Sequence, residues 1–195
     1  MEKAYLLLEN GMVFEGKGFG ASGTSVGEAV FTTGMTGCAE SLSDPSYHGQ
    51  IIIFTFPMLG NYGIAHADME SESIHARGVI VREFCEVPSN FRSELSVDQY
   101  LKRYGIPGIS GIDTRLLTQL IRDQGVMNAV ISAEPPDESM LETLRAYRVT
   151  DSVEQVSCSA PLLREPEGRV KHSVALIDYG AKKSISDSLM KRGCS

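Results

Sequence analysis

Tryptophan is missing from this chain of 195 residues, and aromatic residues of every kind make up only 7% of it. Its core must therefore be built mainly from aliphatic side chains. The four cysteines, at 38, 85, 158 and 194, are widely scattered, with no CxxC pair and no Cys/His ligand spacing. That pattern argues against a zinc site and reads as four free thiols in a reducing compartment. Positive charge is also short: 18 Lys and Arg against 25 Asp and Glu leave a net charge of −7. A protein that binds nucleic acid or an anionic membrane without specificity needs clustered basic residues, and none is present. Lys182-Lys183 and Lys191-Arg192 are isolated pairs and read as solvated faces. The chain opens Met1-Glu2-Lys3 and runs straight into an alternating pattern, with neither a signal-peptide core nor a membrane-spanning stretch. A cytoplasmic protein is the expectation.

What remains is ordinary globular material, 42% hydrophobic and 22% charged, enough to bury a real core. Ala4 to Leu8 and Met12 to Phe19 flank Glu9-Asn10-Gly11, an Asn-Gly turn that closes a hairpin. Ala29 to Thr33, Gln50 to Phe56 and Gly78 to Arg82 are further strands. The run Ile51-Ile52-Ile53-Phe54 is continuous rather than alternating, which predicts cover on both faces. Ser96-Val-Asp-Gln99 has the capping-box pattern and starts a short helix through Leu101 and Tyr104. Asp113 can cap a second helix with Leu116, Leu117, Leu120 and Ile121 on one side, ending at Gly125. A strand over 126–132 follows. Pro135-Pro136-Asp137 then opens a third helix with Met140, Leu141 and Leu144 inward.

Periodicity fades from Asp151 to about Lys171, where Pro161, Pro166 and Gly168 mark a linker. Beyond it, Val174 to Tyr179 reads as a buried parallel strand, Gly180 as its turn, and Ile185, Leu189 and Met190 as one face of a helix stopping at Gly193. One strand and one helix cannot bury the strand's second face. The expected layout is therefore a mixed α/β domain over 1–150, a linker over 151–171, and the truncated opening of a second α/β domain over 172–195.

The segment Gly34-Met-Thr-Gly37-Cys-Ala-Glu-Ser41-Leu-Ser43-Asp-Pro-Ser46-Tyr-His48-Gly49 is crowded with glycine and hydroxyl residues between two strands. Such a loop can turn backbone N–H groups and hydroxyls toward a carboxylate. Composition alone favours a β-turn at Asp44-Pro45-Ser46-Tyr47, with Ser46 bonding nearby backbone. Cys38 and His48 invite a thiolate–imidazole pair, but sequence proximity makes no dyad and a structural Cys38 is the simpler reading. His66 and His75, with Asp68, Glu70 and Glu72, match no regular ligand spacing and read as a solvated acidic loop. Gly18-Phe-Gly20-Ala-Ser-Gly23 has GxGxxG spacing, yet a strand rather than a helix follows, so no phosphate-binding helix terminus is available. Asp113-Thr114-Arg115 is explained by the helix cap.

Taken together, the motifs have a family likeness. Leu6-Leu-Leu-Glu-Asn-Gly11, Phe14-Glu-Gly16, Val26-Gly-Glu-Ala-Val-Phe31 and Met35-Thr-Gly37 resemble the start of the small subunit of carbamoyl phosphate synthase. The resemblance continues through Asp44-Pro-Ser-Tyr47, Gln50-Ile51, Phe56-Pro57, Gly60-Asn-Tyr-Gly63, Pro88-Ser-Asn-Phe-Arg92 and Gly111-Ile-Asp-Thr-Arg115-Leu-Leu-Thr118. Asp178-Tyr-Gly-Ala-Lys182 and Arg192-Gly-Cys194 resemble the first strand and helix of that subunit's glutaminase domain. The likeness covers the whole chain in order, apart from the linker.

The resemblance implies an amino-terminal domain of the swivelling β/β/α type, followed by the start of a class I glutamine amidotransferase domain. It implies a heterodimer in which the small subunit hydrolyses glutamine and passes ammonia to a large subunit. The large subunit, holding ATP and magnesium, makes carbamoyl phosphate from bicarbonate for arginine and pyrimidine synthesis. No cofactor or metal is expected on this chain, and no nucleic-acid or membrane partner. It also implies that Ser46 reaches the L-glutamine site, at the carboxylate end of the substrate. The family's nucleophilic cysteine, its glutamate and its histidine are expected beyond Ser195, so no catalytic residue is assigned here and Cys194 is not the nucleophile. Cys38-Ala39 stands where the family usually has an aromatic and an amide residue, which predicts a looser loop beside Ser46. Lys183-Ser184 replaces a more usual basic-Asn pair. A noncatalytic docking module for a synthetase large subunit is the alternative.

Overall fold

A computed structural model describes residues 2–195. The first hairpin forms as its turn chemistry requires. Strands β1 (Lys3–Leu8) and β2 (Val13–Gly20) pair antiparallel, and Gly11 takes the left-handed conformation, φ 87°, that its turn needs. Strand β3 (Ser25–Thr32) leads into α1 (Cys38–Ser43), a short 3-10 turn at Pro45–Tyr47, and β4 (Gln50–Phe54). The chain continues through β5 (Met58–Leu59), β6 (Gly78–Ile80), β7 (Glu83–Phe84), α2 (Val97–Arg103), β8 (Pro107–Ser110), α3 (Thr114–Gln124), β9 (Met127–Ser132) and α4 (Glu138–Ala146).

Seven strands close into a barrel in the order β1-β2-β8-β6-β4-β3-β9, while β5 and β7 form a separate small sheet. The barrel is mixed. Strands β3, β4, β6 and β8 run parallel to one another, and the remaining pairs are antiparallel. Closure removes the exposed edges that an open sheet would leave. It was not foreseen from the sequence, although the α/β class was.

Alternation along each strand sorts the core into layers. Ala4, Leu6, Leu8, Ala29, Ile51, Ile53, Ile80, Ile109, Ala129 and Ile131 form the inner cluster, joined by Leu117 and Ile121 of α3. Ile52, Phe54, Val79, Val81 and Phe19 point outward and pack with Val97, Tyr100 and Leu101 of α2 and Leu42 of α1. Leu7 and Val130 carry Leu144 of α4, with Met140 and Leu141 partly buried beside it. The Ile51–Phe54 run is buried throughout because β4 has strands on both edges and packed side chains on both faces.

The helix signals hold at their starts. Ser96 and Gln99 form both bonds of the capping box, and the Asp113 carboxylate accepts the Leu116 N–H at 3.0 Å. Leu116, however, is not part of the buried face. The helix buries Thr114, Leu117 and Ile121 at i, i+3 and i+7, which leaves Leu116 on the far side.

The region after 150 departs further. A short helix, α5 (Ser152–Val156), interrupts the expected linker. Helix α6 (Lys183–Lys191) forms, and Gly193 follows it at φ 84°. The strand expected at Val174 to Tyr179 does not form. Among the described residues backbone pairing is confined to its start: a parallel bridge of His172 with Cys194, the Ser195 N–H donating to the His172 carbonyl at 2.9 Å, and the Val174 N–H donating to the Ser195 carbonyl at 2.8 Å. An apolar run becomes a strand only when a neighbour meets its backbone groups, and 172–195 supplies almost none.

Candidate functional site

The loop between β3 and β4 is more ordered than its composition indicated. Helix α1 begins after Gly37 and buries Ala39 and Leu42 against the outer core layer. Ser43, fully buried, donates its hydroxyl to the Ala39 carbonyl at 2.7 Å. The next residue, Asp44, shapes the turn. One carboxylate oxygen accepts the Ser46 N–H at 2.9 Å, and Pro45 fixes the first turn position. Its other oxygen pairs with Lys182 Nζ at 2.5 Å, while the Asp44 side chain is only 9% exposed. That hydrogen bond is the main reason the Lys182 ammonium is held above its ordinary pKa. Ser46 is exposed, and among the described residues no hydrogen bond engages its hydroxyl. The turn is therefore braced by Asp44 and leaves the serine oxygen free.

Directly against this turn lies the segment 178–182. The Asp178 carboxylate accepts the Gly180 and Ala181 N–H groups at 2.8 and 2.7 Å, and the Cys158 N–H at 2.8 Å. These bonds, Ala181 first, hold Asp178 below the usual carboxylate range. Gly180, at φ 93°, sits so close that a Cβ would come within 2.7 Å of Val156 and 3.2 Å of Pro45. Between the loop side and the C-terminal segment opens a cavity of ≈ 920 Å³, with Pro45, Glu70, His75, Leu176 and Lys182 on its walls, within the range of about 300–1,000 Å³ usual for small-ligand sites. The Lys182 ammonium on this wall is paired with Asp44, and Ser46 follows directly after the lining residue Pro45.

The other candidates are not brought together. Cys38 packs into the outer core layer, and burial, with help from Glu40, pushes its thiol up to about 12. His48 shares a hydrogen bond of 3.2 Å with Ser152 instead. A crevice of ≈ 20 Å³ adjoins Cys38. His66 bonds Glu94 at 2.9 Å, Asp68 pairs with Arg92 at 2.5 Å, and His75 bonds Ser73 at 3.3 Å. Among the described residues no group of three or more His, Cys, Asp or Glu converges as for a metal ion. Gly18 to Gly23 runs off the end of β2 with no helix behind it.

The sequence model of the family described as Carbamoyl-phosphate synthase small chain, CPSase domain, matches residues 6–131. The chain belongs to the carbamoyl-phosphate synthase small-chain family. It is 46% identical over its whole length to the carbamoyl phosphate synthase small chain of Listeria monocytogenes serotype 4b (strain F2365), covering 53% of that protein. The small chain of Clostridium perfringens is likewise 46% identical, over 99% of this chain and 55% of the relative. That of Bacillus thuringiensis is 47% identical, over 98% and 52%. The chain thus spans about half the length of the curated relatives it matches. No helix among the described residues is long and apolar enough to cross a membrane.

Within this small-chain sequence two residues take part in the site in ways that their local patterns do not specify. The turn pattern at Asp44-Pro45-Ser46-Tyr47 does not specify the role of the Asp44 carboxylate, although an Asp two positions before Ser46 is a signal for a side-chain-to-backbone turn. The isolated Lys182-Lys183 pair predicts a solvated face, and the structure corrects this for Lys182 with its ion pair to Asp44. The pairing links residues 138 positions apart in sequence, which no local pattern reveals.

Proposed function

We propose that this chain is the amino-terminal part of a glutamine-hydrolysing small subunit of carbamoyl phosphate synthase. Its contribution to the reaction is the glutamine contact made by Ser46, at the substrate's carboxylate end. The observation that carries this reading is the braced turn. Asp44 fixes the backbone, the Ser46 hydroxyl stays exposed and unbonded, and the 178–182 segment packs on the same turn. Residues 2–150 are the swivelling β/β/α-type domain on this reading, and 172–195 begin a class I glutamine amidotransferase domain.

The chemistry then belongs to a cysteine nucleophile outside these residues. A thiolate attacks the glutamine amide carbon, ammonia leaves, and water releases glutamate from the thioester. The ammonia passes to a large subunit that holds ATP and magnesium, and the family's small-chain name supports such a partner. Cys38 does not serve as the nucleophile on this reading, since a partly buried thiol held neutral is a poor one.

The test compares this chain with a completed version, joined after Ser195 to the second half of the Listeria monocytogenes small chain. Each is mixed with a large chain, and carbamoyl phosphate formation is measured with glutamine or with ammonia. Glutamine should support synthesis only with the completed protein, and the 195-residue chain should show no glutamine hydrolysis. Glutamine hydrolysis by the short chain that survives replacement of all four cysteines by serine would overturn the assignment. Stimulation of ammonia-dependent synthesis alone, by both versions, would favour a docking module.

A further inference from the structure

Helix α6 has no cap from its own neighbourhood. Lys182 occupies the capping position, where it offers no acceptor, and its ammonium is turned to Asp44. A helix start leaves amides that need acceptors, and a side-chain oxygen just before the helix usually supplies one. Here the acceptors come from Glu70, on the barrel side of the cavity. Its backbone carbonyl accepts the Lys183 N–H at 2.8 Å, and its Oε2 accepts the Ser184 N–H at 2.9 Å. The carboxylate also lies at the positive end of the helix dipole.

Glu70 is held in turn by the loop that carries Ser46. Its N–H donates to the buried Ser43 hydroxyl at 2.8 Å, and the neighbouring Ser71 hydroxyl donates to the Ser43 carbonyl at 2.6 Å. Ser43 immediately precedes Asp44. One residue therefore ties the base of the Asp44–Ser46 turn to the start of the helix that follows Gly180.

We propose that Glu70 is a positioning residue for the glutamine contact. By capping α6 from outside the helix, it fixes the 178–182 turn against Pro45 and so sets where the Ser46 hydroxyl stands. Glu70 itself does not touch substrate. The proposal rests on the glutamine reading of Ser46, and its test separates the two.

Glu70→Ala and Glu70→Gln are made in the 195-residue chain and in the completed protein described above. In the short chain, hydrogen exchange is followed at the Ser184 amide. Glu70→Ala should accelerate it roughly three- to tenfold, the loss expected for one cap, and Glu70→Gln, which keeps a carbonyl acceptor, should leave it nearly unchanged. In the completed protein, Glu70→Ala should raise KM for glutamine by about the same factor with kcat within about twofold, and Glu70→Gln should restore KM. An unchanged KM in Glu70→Ala, or a fall in kcat alone, would overturn the positioning role. If the unsubstituted completed protein hydrolyses no glutamine, the glutamine reading fails. Exchange at Ser184 then judges the cap by itself: acceleration upholds it, and no change overturns it.

Discussion

Two apolar runs of this chain, Gln50-Ile-Ile-Ile-Phe54 and Val174-Ala-Leu-Ile-Asp-Tyr179, have similar strand-forming residues and opposite fates. The first is β4, paired with β3 on one edge and β6 on the other, and its four apolar residues are buried. The second is unpaired over most of its length, with Ile177 and Tyr179 more than two-thirds exposed, at 72% and 71%. Apolar character gives a segment the capacity to be a strand. Neighbouring backbone decides whether it becomes one. The barrel supplies its own neighbours by closing, whereas the C-terminal segment is held by side-chain anchors at one end: Asp178, Lys182 and the amides capped by Glu70.

The comparison can be broken most directly by truncating an isoleucine in each run. Ile53→Ala should cost about 2–5 kcal/mol of global stability, read from the denaturant midpoint, because it empties part of the barrel interior. Ile177→Ala should stay within about 0.5 kcal/mol. Equal losses would mean that the C-terminal segment is packed as tightly as the barrel.

Hydrogen exchange sharpens the same contrast. Amides of β4 should exchange only through global opening, while those of 175–177 should exchange close to the unprotected rate. Limited proteolysis should cut after Asp151 and leave the barrel intact. Strong protection at 174–179 would contradict this unless two chains pair through that segment.

A smaller effect is expected from acidification. Asp178 is held below its ordinary range in the folded chain, chiefly by the Ala181 amide. Its contribution is therefore present above the unfolded carboxylate value and lost as the pH falls through the lowered one. Protection of the Gly180 and Ala181 amides should decline over that acid window, and Asp178→Asn should remove the pH dependence. At the alkaline end the sign reverses. Lys182, raised by Asp44, keeps its contribution below its unfolded value and loses it as the pH climbs through the raised one. The smallest expected effect is chemical: Cys38, with its thiol near 12, should be alkylated at neutral pH more slowly than exposed Cys158.

Much of the barrel domain was legible because its signals are local. The Asn10-Gly11 turn, the Ser96 and Asp113 caps and the continuous Ile51–Phe54 run each name their structure within a few residues. Closure of the sheet was not legible, since it depends on β9 returning between β1 and β3. The same limit applies at the site. Ser46 stood out through its motif, but its brace lies partly in Lys182, and the cap of α6 comes from a residue 114 positions away. Residues 174–179 differ from their strand pattern for a related reason. Their pattern was correct for a strand and silent about whether a partner would be there.

The central claim, that Ser46 contacts the glutamine carboxylate, is tested most directly by the KM for glutamine of Ser46→Ala in the completed protein. The account predicts a rise of about tenfold or more, as for the loss of a hydrogen bond to a charged group, with kcat far less affected. A KM unchanged from the unsubstituted protein would contradict it.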